Sequence, residues 1–116
     1  MPEDLKVKVK RGNGYAVVQT DGYISHIGGE KVAEECYRLL EEGNRHFILN
    51  LAKSRVVNSI GISILIEIIE RVRSAEGSLS FCNLTPTVGK TFRIMRLTDA
   101  SDVYENEEEA IDALAS

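Results

Sequence analysis

Cysteine, histidine and proline are scarce in this chain of 116 residues, which has two of each. Cys36 and Cys82 do not form a CxxC pair, and neither has a histidine at a spacing typical of metal ligands. We therefore predict two buried, reduced thiols and neither a metal nor another cofactor.

Long apolar runs and an excess of positive charge are also missing. No stretch reaches the roughly 18 apolar residues of a membrane span, and the amino terminus, MPEDLKVKVK, is charged rather than signal-like. With 14 basic and 18 acidic residues, the formal net charge of −4 disfavours direct binding of nucleic acid. We expect a cytoplasmic protein with no membrane insertion and no nucleic-acid partner.

Motifs typical of enzymes are incomplete. His26 and His46 have no Asp or Glu beside them in the sequence, so neither predicts a catalytic triad. The segment VGKT (88–91) resembles the end of a phosphate-binding loop, but Leu84 stands where the first glycine of that motif is required. We predict that the chain is not an enzyme.

The pattern of apolar residues predicts a single α/β domain over residues 1–116. Hydrophobic residues make up 43% of the chain and charged residues 28%, as is usual for a folded domain. Alternation from Leu5 to Lys10 and the turn GNG (12–14) indicate a hairpin, after which helical and extended patterns alternate. The predicted order is β-β-α-β-α-β-α-β-α, a mixed sheet of about four to five strands with about four helices packed on it.

Two predicted helices carry specific expectations. The first is expected from about Gly29 to Glu42, after a loop in which Gly28 and Gly29 shape a turn. Its apolar face is predicted to contain Ala33, Cys36, Tyr37 and Leu40. The last helix begins with Glu107, Glu108 and Glu109, which suit its dipole and are expected to form a solvated face.

The helix predicted in the middle of the chain has two apolar rows. On a helical wheel one row packs on the sheet and contains Ile62, Leu65, Ile66, Ile69 and Val72. A second row contains Ile60, Ile64 and Ile68. Burying each extra isoleucine is worth roughly 1.5 to 3 kcal/mol, so this row needs a cover. Two alternatives remain open at this point: a partner protein covers the row, or a neighbouring helix or terminus of the same chain does.

Two segments at a characteristic separation resemble the STAS domain of bacterial anti-sigma factor antagonists. Residues 58–61, Asn-Ser-Ile-Gly, are similar to the Asp-Ser-(Ser/Ala/Thr)-Gly sequence that opens the second helix of that family. The tail LTDASDVYENEEEAIDAL resembles the family's Leu-Thr-x-x-x-x-(Val/Leu)-(Phe/Tyr) ending and acidic last helix. The resemblance covers nearly the whole chain and implies the STAS fold.

The resemblance implies partner switching. In such a pathway the antagonist binds an anti-sigma factor that is also a GHKL-type serine kinase, and a cognate phosphatase removes the phosphate. Carried over by position, Ser59 is the phosphorylation site, with Asn58 in place of the family's usual Asp. The predicted partner-binding residues are Asn58, Ser59, Ile60, Gly61 and Ile64.

Other functions remain open at the level of the sequence. A STAS scaffold, or the cytoplasmic subunit of a transport system, would use Ser59 only as a helix-capping hydroxyl. Lys53 and Arg55 precede this residue and are interpreted either as support for a phosphate or as solvated loop charges. A weak homodimer is compatible with either function.

Overall fold

The protein is described from a computed structural model over residues 5–115. Its elements follow the predicted order, with one short 3₁₀ turn at Leu97–Asp99 added after the third helix. The strands are β1 (Lys6–Arg11), β2 (Ala16–Asp21), β3 (His46–Lys53), β4 (Ser78–Cys82) and β5 (Asp102–Tyr104). The helices are α1 (His26–Glu41), α2 (Ser59–Ser74), α3 (Pro86–Ile94) and α4 (Glu107–Leu114).

The five strands form one mixed sheet in the order β1-β2-β3-β4-β5. β1 pairs antiparallel with β2 through the predicted hairpin, and the other neighbours are parallel. Each of the parallel strands β2, β3 and β4 leads into a helix, so α1, α2 and α3 all begin at the carboxyl edge of the sheet. The predicted mixed sheet with four helices is confirmed.

The helices cover the two faces of the sheet unequally. The main core lies between the sheet and α1, α2 and α3, and includes an edge-to-face pair of Phe81 and Phe92 with ring centroids 5.0 Å apart. On the opposite face α4 covers a small cluster formed around Val17, Ile48, Cys82 and Ala110. The structure is therefore a thick layer on one face and a single short helix on the other.

Helix α1 begins earlier than the sequence predicts. Its first residue is His26, and the Oγ atom of Ser25 caps it by accepting a hydrogen bond from the Gly28 N–H at 3.4 Å. Gly28 lies inside the helix rather than in a turn. A glycine fits there because a Cβ atom would stand 2.3 Å from the carbonyl oxygen of Tyr23. The predicted loop through Gly28 and Gly29 is thus wrong.

The buried face of α1 is also rotated from the predicted one. Val32, Cys36 and Leu39 are fully buried, whereas Ala33, Tyr37 and Leu40 are only partly buried. The side chain of Tyr37 lies instead beneath the guanidinium of Arg71 on α2, whose central carbon is 4.3 Å from the ring centroid. The apolar pattern alone placed the face one residue too far along the helix.

The second apolar row of α2 is covered mainly by α1. Ile68 is fully buried and Ile64 is 8% exposed, with its Cδ1 atom 3.0 Å from where a Cβ of Gly29 would lie. Only Ile60, at the start of the row, is largely exposed, at 53%. A neighbouring helix of the same chain is therefore the cover for Ile64 and Ile68, and the alternative in which a partner protein covers these two residues is wrong.

Both cysteines are free and buried, as predicted, and they lie in different layers. Burial raises the pKa of the Cys36 thiol to about 12, and the nearby Glu35 carboxylate adds to the effect. Burial likewise raises the pKa of the Cys82 thiol to about 12. Within residues 5–115, no helix is long and apolar enough to cross a membrane.

Candidate functional site

The candidate site lies where α2 leaves the carboxyl edge of the sheet. The loop 54–58 that follows β3 runs beside the loop 22–25 that follows β2, and the two are joined by backbone hydrogen bonds. The Ile24 N–H donates to the Val56 carbonyl at 3.0 Å, and the Asn58 N–H donates to the Ile24 carbonyl at 3.2 Å. The start of α2 is therefore held by its backbone as well as by its side chains.

A buried pair of hydroxyls fixes the base of the loop. The Thr20 Oγ1 and Ser54 Oγ atoms lie 2.6 Å apart, and both residues are essentially inaccessible to solvent. Thr20 sits where the register between β2 and β3 shifts, between Gln19 and Asp21. Because a buried polar group is costly unless it is hydrogen-bonded, this pair restricts where the chain can enter the loop.

Asn58 is the N-cap of α2. Its Oδ1 atom accepts a hydrogen bond from the Gly61 N–H at 2.7 Å, which satisfies one of the free donors of the first turn. Ser59 is the first residue of the helix and is exposed to solvent. The alternative in which the Ser59 hydroxyl caps the helix is therefore wrong, and this hydroxyl remains accessible for chemistry.

Gly61 permits a close approach between the first turn of α2 and the loop 22–25. A Cβ atom at this position would lie 2.1 Å from the Ile24 carbonyl oxygen, so any side chain would force the backbones apart. Gly61 and Ile64 are both buried, and neither offers a side chain to an incoming protein in this conformation. Of the five predicted partner-binding residues, Asn58, Ser59 and Ile60 line the accessible surface; their role in binding stays a prediction.

Three exposed apolar side chains lie within or directly after the two hydrogen-bonded loops. Ile60 and Val56 are each 53% exposed and Ile27, in the first turn of α1, is 66% exposed. All three lie within four residues of the backbone contacts centred on Ile24, and we call them the apolar patch. Neither Ile27 nor Val56 was predicted from the sequence. The available signal was that Ile27 falls outside the helical period of Val32, Cys36 and Leu39.

Among the described residues, no group of three or more His, Cys, Asp and Glu side chains could hold a metal ion. His26 Nε2 lies 3.8 Å from a carboxylate oxygen of Glu30, and both side chains are exposed. His46 Nδ1 lies 2.8 Å from the Ser78 hydroxyl at the opposite edge of the sheet. The two histidines therefore lie at opposite edges of the sheet, and neither shares a partner with the other.

One carboxylate predicted to be solvated is instead fixed against the sheet. Glu107 accepts hydrogen bonds from Lys10 and Gln19 at 2.8 Å each and from Asn50 at 2.6 Å, on the face covered by α4. Partial burial raises the pKa of Glu107, but the hydrogen bonds from these three residues outweigh it and hold the pKa below its ordinary value. The prediction of a solvated Glu107 is therefore wrong. The three donors could not be recognised from the sequence because they are distant from Glu107 along the chain.

Comparison with known proteins shows which family model matches this chain. The STAS domain model matches residues 5–110. BtrV, a candidate anti-sigma factor antagonist of Bordetella bronchiseptica, is 22% identical over 106 residues, which are 91% of each chain.

Solved structures resemble the fold closely. The crystal structure of an anti-sigma factor antagonist from Mycobacterium paratuberculosis has a TM-score of 0.89 at 16% identity, over 100% of this chain and 98% of that one. The Bacillus cell fate determinant SpoIIAA in its phosphorylated form has a TM-score of 0.72 at 20% identity, over 94% of this chain and 99% of that one.

Proposed function

The chain belongs to the STAS domain family, and from this membership we propose that it is an anti-sigma factor antagonist switched by reversible phosphorylation of Ser59. In this proposal it acts in the cytoplasm and is not an enzyme. Its unphosphorylated form binds an anti-sigma factor that is a GHKL-type serine kinase, and a phosphatase restores that form. The names of its relatives as anti-sigma factor antagonists support the first part of the proposal.

The observation that carries the proposal is the combination of an exposed hydroxyl with an exposed apolar surface. Ser59 is accessible at the first position of α2, the exposed Ile60 follows it directly, and the exposed Val56 lies three residues before it. Apolar side chains in contact with a partner favour binding, since their burial removes them from water. A charged group placed among them would have to be desolvated in the complex.

The start of α2 is suited to hold a phosphate without unfolding. A phosphoserine adds about −1.5 to −2 charge, and helix amino termini stabilise negative charge through their dipole and free N–H groups. The first turn of α2 contains no acidic residue that would repel it. The cost of the phosphate therefore falls on the complex, where a loss of roughly 3 kcal/mol weakens binding more than a hundredfold.

Asn58 departs from the acid usual in the family, and its structural role is fulfilled nonetheless. An amide oxygen caps the helix as well as a carboxylate does, and the 2.7 Å bond to Gly61 is in place. A neutral cap also leaves the helix dipole uncompensated, which favours the added phosphate. Recognition by the kinase would then depend on the hydroxyl and the apolar patch rather than on a neighbouring carboxylate.

Phosphorylation is tested by incubating the chain with ATP and the kinase-type anti-sigma factor of the same organism, followed by peptide mass spectrometry. We expect one phosphate, on Ser59, and none in Ser59→Ala. Ser63→Ala is the matched control, since Ser63 is exposed one turn later on the same helix. A phosphate on any other residue, or none, would contradict the site.

The switch is tested by calorimetry with the same anti-sigma factor. Ser59→Ala should bind like the wild type, whereas Ser59→Asp should bind more than about a hundredfold more weakly. The melting temperatures of the two variants should be nearly equal, because the helix terminus accepts the added charge. Equal binding by both variants would exclude the switch and favour the scaffold or transport-subunit function.

A further inference from the structure

The two hydrogen-bonded loops and the helix starts that follow them contain no carboxylate. Residues 22–27 and 54–61 include no Asp or Glu, although the chain carries 18 acidic residues, and we call them the acid-free region. The nearest acid along α1 is Glu30, whose carboxylate lies 3.8 Å from His26 Nε2, and the nearest along α2 is Glu67. The first turns of both helices are therefore without acidic residues.

One positive charge in the acid-free region has no counter-charge. Arg55 is exposed, and its guanidinium makes no hydrogen bond or ion pair with any residue among 5–115. Asp21 and Lys53, which flank the region at the ends of β2 and β3, stand opposite each other in the register of the sheet, so these two charges balance. The region is thus left with the charge of Arg55, in a chain whose formal net charge is −4.

The backbone on both sides of Arg55 is held in place. Before it, Ser54 is buried, and its hydroxyl oxygen lies 2.6 Å from Thr20 Oγ1. After it, the Val56 carbonyl accepts a hydrogen bond from the Ile24 N–H at 3.0 Å. The base of the Arg55 side chain is therefore fixed, while its guanidinium is free. A binding group whose backbone is already ordered loses less conformational entropy on association.

Resting on the proposed function, we propose that Arg55 pairs with a carboxylate of the anti-sigma factor. A guanidinium presents its donors in a planar fork that matches a carboxylate with two hydrogen bonds. Val56, the next residue, is 53% exposed, and apolar contacts beside the pair would exclude water and strengthen it. The partner surface is thus apolar with one acidic side chain, and that side chain would repel a phosphate on Ser59.

The test is calorimetry of the intact chain with the kinase-type anti-sigma factor of the same organism. Arg55→Gln should bind about tenfold more weakly than the wild type, and Arg55→Lys should fall between the two, since an ammonium lacks the planar fork. Arg55→Glu should bind about a hundredfold more weakly, because it sets two carboxylates against each other. The melting temperatures should stay the same, since the guanidinium has no contact to lose among the described residues.

Arg93→Glu is the matched control. Arg93 is an exposed arginine, likewise without an ion pair or hydrogen bond among the described residues. It lies in the last turn of α3, and α3 begins at the same edge of the sheet as α2, so Arg93 is remote from the acid-free region. The control should change the affinity by less than about twofold.

The dependence on salt separates a charge pair from a packing contact. Raising the salt concentration from about 0.05 to 0.5 M should weaken binding of the wild type more than that of Arg55→Gln, because salt screens the pair. Equal salt dependence of the two would overturn the pairing, and so would equal weakening by Arg55→Glu and Arg93→Glu, which would indicate general attraction.

The remaining outcomes distinguish the pairing from the proposed function. If the wild type does not bind the anti-sigma factor, both fail. If the wild type binds and Arg55→Glu binds equally well, only the pairing fails. It also fails if Arg55→Gln leaves the binding of Ser59→Ala unchanged and alters only that of Ser59→Asp, which would assign the guanidinium to the phosphate.

Discussion

Two helix termini of this protein share a capping mechanism and differ in everything around it. Asn58 caps α2 by accepting from the Gly61 N–H at 2.7 Å, and Asn106 caps α4 by accepting from the Glu109 N–H at 2.9 Å. The first turn of α4 contains three glutamates, whereas that of α2 contains none. One helix dipole is thus met by charges of the chain itself, and the other is left open.

This difference distinguishes the α4 terminus, which stabilises the fold, from the α2 terminus, which is available for regulation. At α4 the Glu107 carboxylate is used internally, because three donors from the sheet hold it in place. At α2 an exposed hydroxyl and exposed isoleucine follow the cap. A negative charge added at α2 would therefore meet no acidic residue in the first turn, while one added at α4 would be repelled.

The largest effect is expected from Gly61→Ala, which breaks the α2 terminus. The new Cβ atom would lie 2.1 Å from the Ile24 carbonyl oxygen, so the two loops must separate. We expect a loss of about 3 kcal/mol in the free energy of unfolding, measured by urea denaturation.

Gly89→Ala is the matched control for that substitution. Its Cβ atom would meet nothing closer than 3.6 Å, and alanine favours the helical conformation. This variant should be unchanged or slightly more stable than the wild type. Equal losses in the two variants would contradict the contact with Ile24 as the cause, because helix propensity alone predicts a gain in both.

The second-largest effect is expected from Glu107→Gln, which tests the α4 terminus, where the carboxylate is already held by donors of the sheet. The glutamine keeps the shape but loses the ion pair with Lys10, so we expect a loss of about 2 kcal/mol at pH 7. The exposed neighbour Glu108 provides the control, and Glu108→Gln should have little effect.

The loss of stability in Glu107→Gln should depend on pH. Because the folded pKa of Glu107 is lowered, its stabilisation is complete above the ordinary glutamate pKa of about 4.3 and is lost as the pH falls through the folded value. Stability curves of wild type and Glu107→Gln should therefore converge at acid pH. Parallel curves down to the lowest pH would show that the carboxylate charge is not the stabilising feature.

The smallest effects compare the two caps directly. Asn58→Ala and Asn106→Ala each remove one hydrogen bond to a first-turn N–H, and each should cost about 1 kcal/mol. Asn58→Asp should keep the stability of the wild type, since a carboxylate caps equally well. A clearly larger loss for Asn106→Ala would show that the α4 terminus depends on its cap as well as on Glu107.

The sequence predicted those parts of the fold that depend on local pattern. The order of strands and helices and the opening hairpin are both found as expected. Each of these follows from spacing along a few neighbouring residues, because helical and strand periods and capping residues act locally.

What the sequence could not predict depends on residues that meet only in three dimensions. The early start of α1 was missed because paired glycines disfavour helix locally, while the fit of Gly28 against the Tyr23 carbonyl is a tertiary contact. The cover over Ile64 and Ile68 comes from α1, and no periodicity in α2 reveals it. At the site, Ile27 was missed for the same reason: it directly follows the β2–α1 loop, which is hydrogen-bonded to the β3–α2 loop.

The two thiols make the layers of this molecule separately observable. Cys36 lies in the main core and Cys82 beneath α4, on the other face of the sheet. With the pKa of each thiol raised to about 12, a labelling reagent reacts appreciably only when the surrounding structure opens. The labelling rate of Cys82 thus reports detachment of a single eight-residue helix, while that of Cys36 reports opening of the main core, so local and global unfolding can be timed in the same sample without an added probe.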